Sequence, residues 1–214
     1  MQSLPQRGPL ETVLMVGAPF ALAVLELFHP HPGDVFQLPL RVWLEVHYAQ
    51  ILLFPLAALA VVLIVRGNAG LVAGIARVAM FAFAVTFVAF DTAAGVVTGV
   101  LVQAAQASGA PQQWRAPVLA VWTHPIIGGS PDTTPLLAVA GSVAWSVGLA
   151  MTAIVVRRCG GSWIAALLLL VSSLGLSVFR THAWPGGPVS FGALAIAAAW
   201  IRWERTGGRR VTAT

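Results

Sequence analysis

The sequence has little charge, no lysine and a single cysteine. Only 9% of its 214 residues are charged, against about 25% in a typical soluble domain. A surface with so few charges excludes a soluble monomeric enzyme and a disordered chain. The net charge is +5, but all the basic residues are arginines scattered between apolar runs. Because they form no basic stripe, we expect no nucleic-acid partner.

Further absences exclude several kinds of membrane chemistry. Without lysine, the chain cannot hold retinal as a Schiff base. One cysteine, Cys159, allows no disulfide within the chain and no disulfide-based quinone chemistry. The patterns His-Glu-x-x-His, Gly-x-Ser-x-Gly and Walker A do not occur. A standard zincin, a serine hydrolase with that motif and an ATPase are therefore excluded.

The sequence does contain long apolar runs. Hydrophobic residues make up 58% of the chain and the mean hydropathy is +0.85. A helix crosses the hydrocarbon core with about 20 such residues and bonds its own backbone, whereas barrel strands are shorter and alternate. We therefore predict an all-α polytopic membrane protein, one helical bundle domain over residues 1–214. Its six predicted spans cover approximately residues 11–28, 42–65, 78–103, 136–156, 163–179 and 189–203, and residue 71 is an alternative start of the third span.

The arginines predict how these spans are oriented. With six spans, both termini and the short loops 66–77 and 157–162 share one side, which carries nine arginines against three on the other. Cytoplasmic loops carry the excess of positive residues. We therefore expect cytoplasmic termini, a cytoplasmic tail at 204–214 and a multi-pass protein of the inner cell membrane. The long loop 104–135 faces outward, and its apolar piece 117–125 predicts an interfacial or re-entrant helix.

All five histidines fall on the predicted outer side. Neutral imidazole is a ligand for Zn, Cu and Fe. We predict a metal site for one of these ions formed by His29, His47, His124 and His182. Haem b, held by His47 and His182 as axial ligands, is a variant of this prediction. His31 is interpreted as a headgroup or loop contact.

Three charged residues accompany the histidines as predicted catalytic residues. Glu26 lies one turn before the end of the first span, three residues before His29. Asp91 is placed near the middle of the third span, beside a Gly-x-x-x-Gly pattern that lets another helix approach closely. Arg180 follows the fifth span, as a partner for one of these carboxylates, a substrate anion or a haem propionate. Ionisable groups within a membrane usually face the bundle interior.

Three functions remain open at this point. The first is a membrane enzyme with a metal or haem centre near the outer surface, an oxidoreductase or hydrolase acting on a lipid-soluble or small substrate. The second is a proton-coupled, metal-ion or small-solute transporter that uses Asp91 and Glu26. The third is an accessory subunit of a larger membrane complex. Besides the bilayer, further copies of the chain are a potential partner.

Overall fold

The computed structural model describes residues 8–208, which consist of helices joined by loops. About 80% of the residues are in helices, and the described part contains no strand. The predicted all-α class is confirmed. Three of the arginines used to orient the chain, Arg7, Arg209 and Arg210, lie outside the described residues, as does the end of the predicted tail.

Six long helices and one short helix make up the described chain. Four of them, α1, α2, α3 and α5, are long and apolar enough to cross a membrane, and α6 is a shorter apolar helix. The bounds are α1 Pro9–Phe28, α2 Leu40–Ile64, α3 Leu71–Ala107, α4 Arg115–Trp122, α5 Leu136–Arg158, α6 Trp163–Phe179 and α7 Gly186–Trp203.

Helix α3 is longer than the predicted span. It begins at Leu71, the alternative predicted start, rather than at residue 78, and has 37 residues, so it extends for about 55 Å. Arg77 does not interrupt it, because its guanidinium reaches back and donates to the carbonyls of Val65 and Asn68 at 3.1 and 2.7 Å. The charged group is therefore hydrogen-bonded to the preceding loop, and the backbone continues as a helix past Arg77.

Helix α7 also begins earlier than predicted, at Gly186 instead of residue 189. The run Pro185-Gly-Gly-Pro188 has loop composition, yet Pro188 falls in the first turn, where the missing N–H is unbonded in any helix. A Cβ at Gly187 would overlap the carbonyl oxygen of His182. The glycine therefore lets the preceding loop fold back onto the start of α7.

The six long helices form a closed ring in chain order. Each packs beside the next, as α1 beside α2, α2 beside α3, α3 beside α5, α5 beside α6 and α6 beside α7, and α7 returns to α1. The chain therefore runs alternately up and down. We call the end with the α1–α2 and α6–α7 connections the histidine end, and the end with the α2–α3 and α5–α6 turns the arginine end.

The interior of the ring is filled by apolar and aromatic side chains. A second, smaller cluster lies at the histidine end, where α4 packs its Val118 and Trp122 against Trp43 and Val102. Helix α4 covers part of this end without crossing the bundle. The largest fully buried side chains of the main core are Phe54, Phe83, Phe87, Trp145 and Phe191.

Candidate metal centre

Three of the predicted histidines come together inside the histidine end. His29 is the first residue after α1, His47 lies two turns inside α2, and His182 lies in the connection from α6 to α7. One ring nitrogen from each can be chosen so that all three lie within 4.8 Å of one another. The His29 ring centre is 4.9 Å from those of both His47 and His182. This cluster can hold a metal ion.

Backbone carbonyls set the tautomers of two of these imidazoles. The Nδ1 atom of His47 is 2.7 Å from the Trp43 carbonyl oxygen, and the Nδ1 atom of His29 is 2.9 Å from that of Pro30. A carbonyl oxygen only accepts, so each Nδ1 carries the proton and donates it. The Nε2 lone pairs therefore remain available, as a metal ligand requires.

Asp91 lies beside the same imidazoles. Its Oδ1 atom is 3.8 Å from Nε2 of His47 and 3.9 Å from Nε2 of His182. Among the described residues, neither Asp91 oxygen has a hydrogen-bond partner, nor does Nε2 of His29 or of His182. Buried polar atoms are bonded in the great majority of cases. Several orphaned atoms directed at one place thus indicate room for a ligand of the cluster.

Asp91 lies at the level of the histidines along the bundle. It lies about 30 Å along α3 from Leu71, and the helix continues beyond it to Ala107. Its distances to His47 and His182 place it beside their cluster.

A π-helical segment, Thr92–Val97, shapes the wall next to Asp91. It leaves the Gly95 carbonyl available to accept the indole N–H of Trp43 at 2.8 Å. A Cβ at Gly95 would overlap the His47 imidazole, and a Cβ at Gly99 would lie 2.7 Å from Leu44 Cδ2. The Gly-x-x-x-Gly pattern therefore provides the space that the His47 ring occupies. Such π segments are frequent at functional sites.

The two cluster histidines outside the helices, His29 and His182, have lowered pKa values. Burial, reinforced by the nearby His47, lowers the pKa of His29 to about 3. Burial also lowers the pKa of His182 well below its usual value, with His29 and His47 adding to the effect. Both imidazoles are therefore neutral at pH 7, and each has one ring nitrogen without a proton.

Glu26 lies on the last turn of α1 and is fully buried. Its Oε1 atom accepts a hydrogen bond of 2.8 Å from Nε2 of Gln50, one turn beyond His47 on α2. Within residues 8–208, the other Glu26 oxygen and Oε1 of Gln50 have no partner. Gly187 makes room here too, since a Cβ there would lie 2.7 Å from Cγ of Glu26.

Two predicted site residues lie elsewhere. His124 follows α4, and its Nδ1 atom accepts from the Ile126 backbone N–H at 3.2 Å; it is not part of the three-histidine cluster. Arg180 ends α6 in the left-handed conformation, with φ of 53°, and is exposed. No ion pair in the described part of the chain joins it to Glu26 or Asp91.

Trp43 belongs to the site although it is not among the predicted site residues. Its side chain is buried. Its ring packs 4.2 Å from the His47 ring and 5.5 Å from the His29 ring. The available signal was the four-residue spacing to His47, which places the two side chains on one helix face.

Aromatic rings close the cluster toward the interior of the bundle. The His182 ring has its centre 5.8, 6.0 and 5.9 Å from those of Phe54, Phe87 and Phe90.

Comparisons with protein-family profiles, with curated proteins and with solved structures found no match to this chain. Its function must therefore be argued from the cluster itself.

Proposed function

We propose that this protein binds one transition-metal ion through His29, His47 and His182, with Asp91 supplying the balancing negative charge. The observation that carries the proposal is the set of orphaned, inward-facing atoms: imidazole nitrogens with no other partner in the described chain, next to a carboxylate with none. A cation in a buried site needs a compensating charge. Asp91 is the nearest acidic side chain to two of the imidazoles.

The spacing of the ligand atoms fits this proposal. Atoms bound to one ion at about 2.1 Å in tetrahedral geometry lie roughly 3.4 Å apart. The three histidine nitrogens lie within 4.8 Å of one another, so the rings draw closer together when the ion binds. Asp91 lies beside them, with Oδ1 3.8 and 3.9 Å from Nε2 of His47 and of His182.

The arrangement favours a bare ion, Zn, Cu or Fe, over haem b. In a haem with two axial histidines, the rings lie on opposite faces of the macrocycle. Here the third imidazole, His29, lies 4.9 Å from both His47 and His182, ring centre to ring centre. It occupies space that a macrocycle between them needs, whereas a bare ion uses all three imidazoles.

We further propose that the ion is resident and supports chemistry on a small or lipid-soluble substrate, as an oxidoreductase or hydrolase. Three imidazole ligands leave a coordination position for a substrate or water. Glu26, buried near the cluster and bonded through only one of its oxygens, is our candidate for carrying a proton there. Transport is less well supported, because the aromatic core that includes Phe54, Phe83 and Phe87 fills the route to the arginine end.

We also propose that all six long helices cross the membrane, with cytoplasmic termini. Helices α6 and α7 complete the ring beside α5 and α1, which supports the same depth for all six. The only cysteine, Cys159, is exposed at the arginine end, so a membrane-impermeant thiol reagent tests the orientation. Labelling is expected in inverted membrane vesicles and not in intact spheroplasts; the opposite pattern overturns the proposed topology.

Metal analysis of purified protein tests the proposed site. We expect one Zn, Cu or Fe per chain after incubation with each ion and removal of the excess. His47→Ala and His182→Ala should lose the ion, while His124→Ala, which alters a histidine outside the cluster, should retain it. A metal-free protein under all three conditions, or equal loss from the His124 variant, contradicts the proposal. A Soret band would instead favour haem.

A further inference from the structure

An exposed imidazole adjoins the proposed metal centre. His31 is exposed, and its ring centre lies 6.0 Å from that of His29, which is only partly buried. It is not a member of the three-histidine cluster. His31 therefore stands between the aqueous surface and the ligand of the cluster that it contacts.

The backbone holds His31 in this place. Both histidines precede prolines, in the run His29-Pro30-His31-Pro32. A residue before proline is restricted to extended conformations, and each proline fixes its own φ near −65°. His29 accordingly has φ of −66° and ψ of 119°. The two rings are thus kept near each other without a helix or strand to position them.

We propose that His31 is a loading ligand, which binds the divalent transition-metal ion at the surface and passes it to His29. This inference rests on the proposed metal site and adds the route by which the ion reaches it. The aromatic rings of Phe54, Phe87 and Phe90 enclose His182 from the interior, and Trp43 lines the side. The His31 side is where the structure offers a further ligand.

The chemistry of ligand exchange supports this role. An ion in water must give up its hydration shell before it enters a buried site, and losing all of it at once is costly. An imidazole at the surface replaces one water while the others remain, and the next imidazole then replaces another. No bond is made or broken within the protein, and no electron is transferred. Such a residue speeds loading and release alike, so it changes rates without changing the equilibrium affinity.

Rapid mixing of the full-length, metal-free protein with Zn²⁺ in detergent tests the proposal. The uptake rate is followed by competition with a zinc indicator, and release by transfer to a chelator. For His31→Ala we expect uptake and release to be slowed severalfold and by the same factor, with the equilibrium affinity unchanged. His31→Asp restores an ion-binding side chain without the ring, and should recover part of the rate.

His124→Ala is the matched control, because it removes another histidine of the histidine end and should leave both rates unchanged. Equal rates in the His31→Ala and unmodified proteins overturn the loading role while leaving the metal site intact. Loss of equilibrium binding in His31→Ala also overturns it, since His31 would then be a resident ligand. If the unmodified protein binds no Zn²⁺, the proposed site fails together with this inference. If His31→Asp recovers none of the lost rate, the effect of His31→Ala comes from ring packing, and the loading role is overturned.

Discussion

The bundle contains two polar regions that differ in how completely their atoms are bonded. Between α5, α6 and α7, Ser146 donates to the Ser173 carbonyl at 2.6 Å and lies 3.0 Å from the Ser177 hydroxyl. Ser172 donates to the Ser190 carbonyl at 2.6 Å and accepts the Trp145 indole through its own carbonyl at 2.9 Å. We call Ser146, Ser172, Ser173 and Ser177 the serine network.

The histidine cluster lies in the same bundle but leaves its ligand atoms unbonded. The Asp91 oxygens and two imidazole nitrogens have no hydrogen-bond partner in the described chain. All four hydroxyls of the serine network are hydrogen-bonded, although the neighbouring Ser190 Oγ has no partner in the described chain, and the network joins three helices. The histidine cluster is incomplete without an ion or another ligand. The contrast separates polar groups that hold the fold from polar groups that are kept for binding.

The sharpest test of this contrast compares Asp91→Asn with Ser172→Ala. Removing the Asp91 charge should weaken metal affinity by roughly 10–100-fold, because the buried cation loses its balancing carboxylate. The unfolding temperature of the metal-free protein should not fall, since these oxygens make no hydrogen bond in the described part of the chain. Ser172→Ala should do the reverse, lowering stability by about 1 kcal/mol. Metal titration and thermal unfolding measure the two effects, and unchanged affinity in Asp91→Asn removes the distinction.

Two glycines extend the comparison to packing. A Cβ at Gly95 would overlap the His47 ring, whereas a Cβ at Gly148 would overlap the end of the flexible Met80 side chain. Overpacking costs roughly 1–3 kcal/mol. We expect Gly95→Ala to lower both stability and metal affinity, the affinity by about tenfold, and Gly148→Ala to lower stability alone. If Gly95→Ala binds the ion with unmodified affinity, the His47 position does not depend on this wall.

The pH dependence of stability distinguishes the two regions further. The unfolded His29 titrates near 6.5 and the folded one near 3, so between these values only the unfolded chain takes up the proton. The metal-free protein should therefore lose stability as the pH falls from 6.5 toward 3. The serine network does not titrate. His29→Ala should give a flatter profile of unfolding temperature against pH, and an equally steep profile in this variant contradicts the assignment.

The smallest effect is expected for Glu45, an exposed charged residue on α2, the helix that carries His47. Glu45 lies two residues before His47, and its carboxylate accepts from the exposed Arg41 at 2.9 Å. Exposed pairs of this kind contribute little. Glu45→Gln should leave both metal affinity and unfolding temperature unchanged. A loss of affinity there would show that charge near His47, rather than its direct ligands, governs binding.

The positions of most helices could be predicted, because the length of an apolar run indicates the length of the helix and which residues lie at its ends. Residues 163–179 are helical as expected, and α2 and α5 lie close to their predicted ranges. The sequence left the start of α3 open between residues 71 and 78, because Arg77 is typical of a loop, although its guanidinium reaches back to the loop carbonyls. Charge alone does not show where a long side chain places its head group.

The site could be predicted only in part. Position in the chain gives the depth of a histidine but not the direction of its side chain, so His124 could not be separated from His29, His47 and His182. The contacts of Asp91 with His47 and His182 depend on how α3 packs against α2 and the α6–α7 connection, which the sequence does not show. The contribution of Gly95 likewise depends on a contact between distant segments, which no local pattern indicates.

X-ray absorption spectroscopy of the metal-loaded protein is the most direct test of the central claim. The account predicts three imidazole nitrogens bound to one ion at about 2.0–2.1 Å in the unmodified protein, and no bound ion in His182→Ala. An ion coordinated by water and carboxylate oxygens alone, or a spectrum identical in the His182→Ala protein, would contradict it.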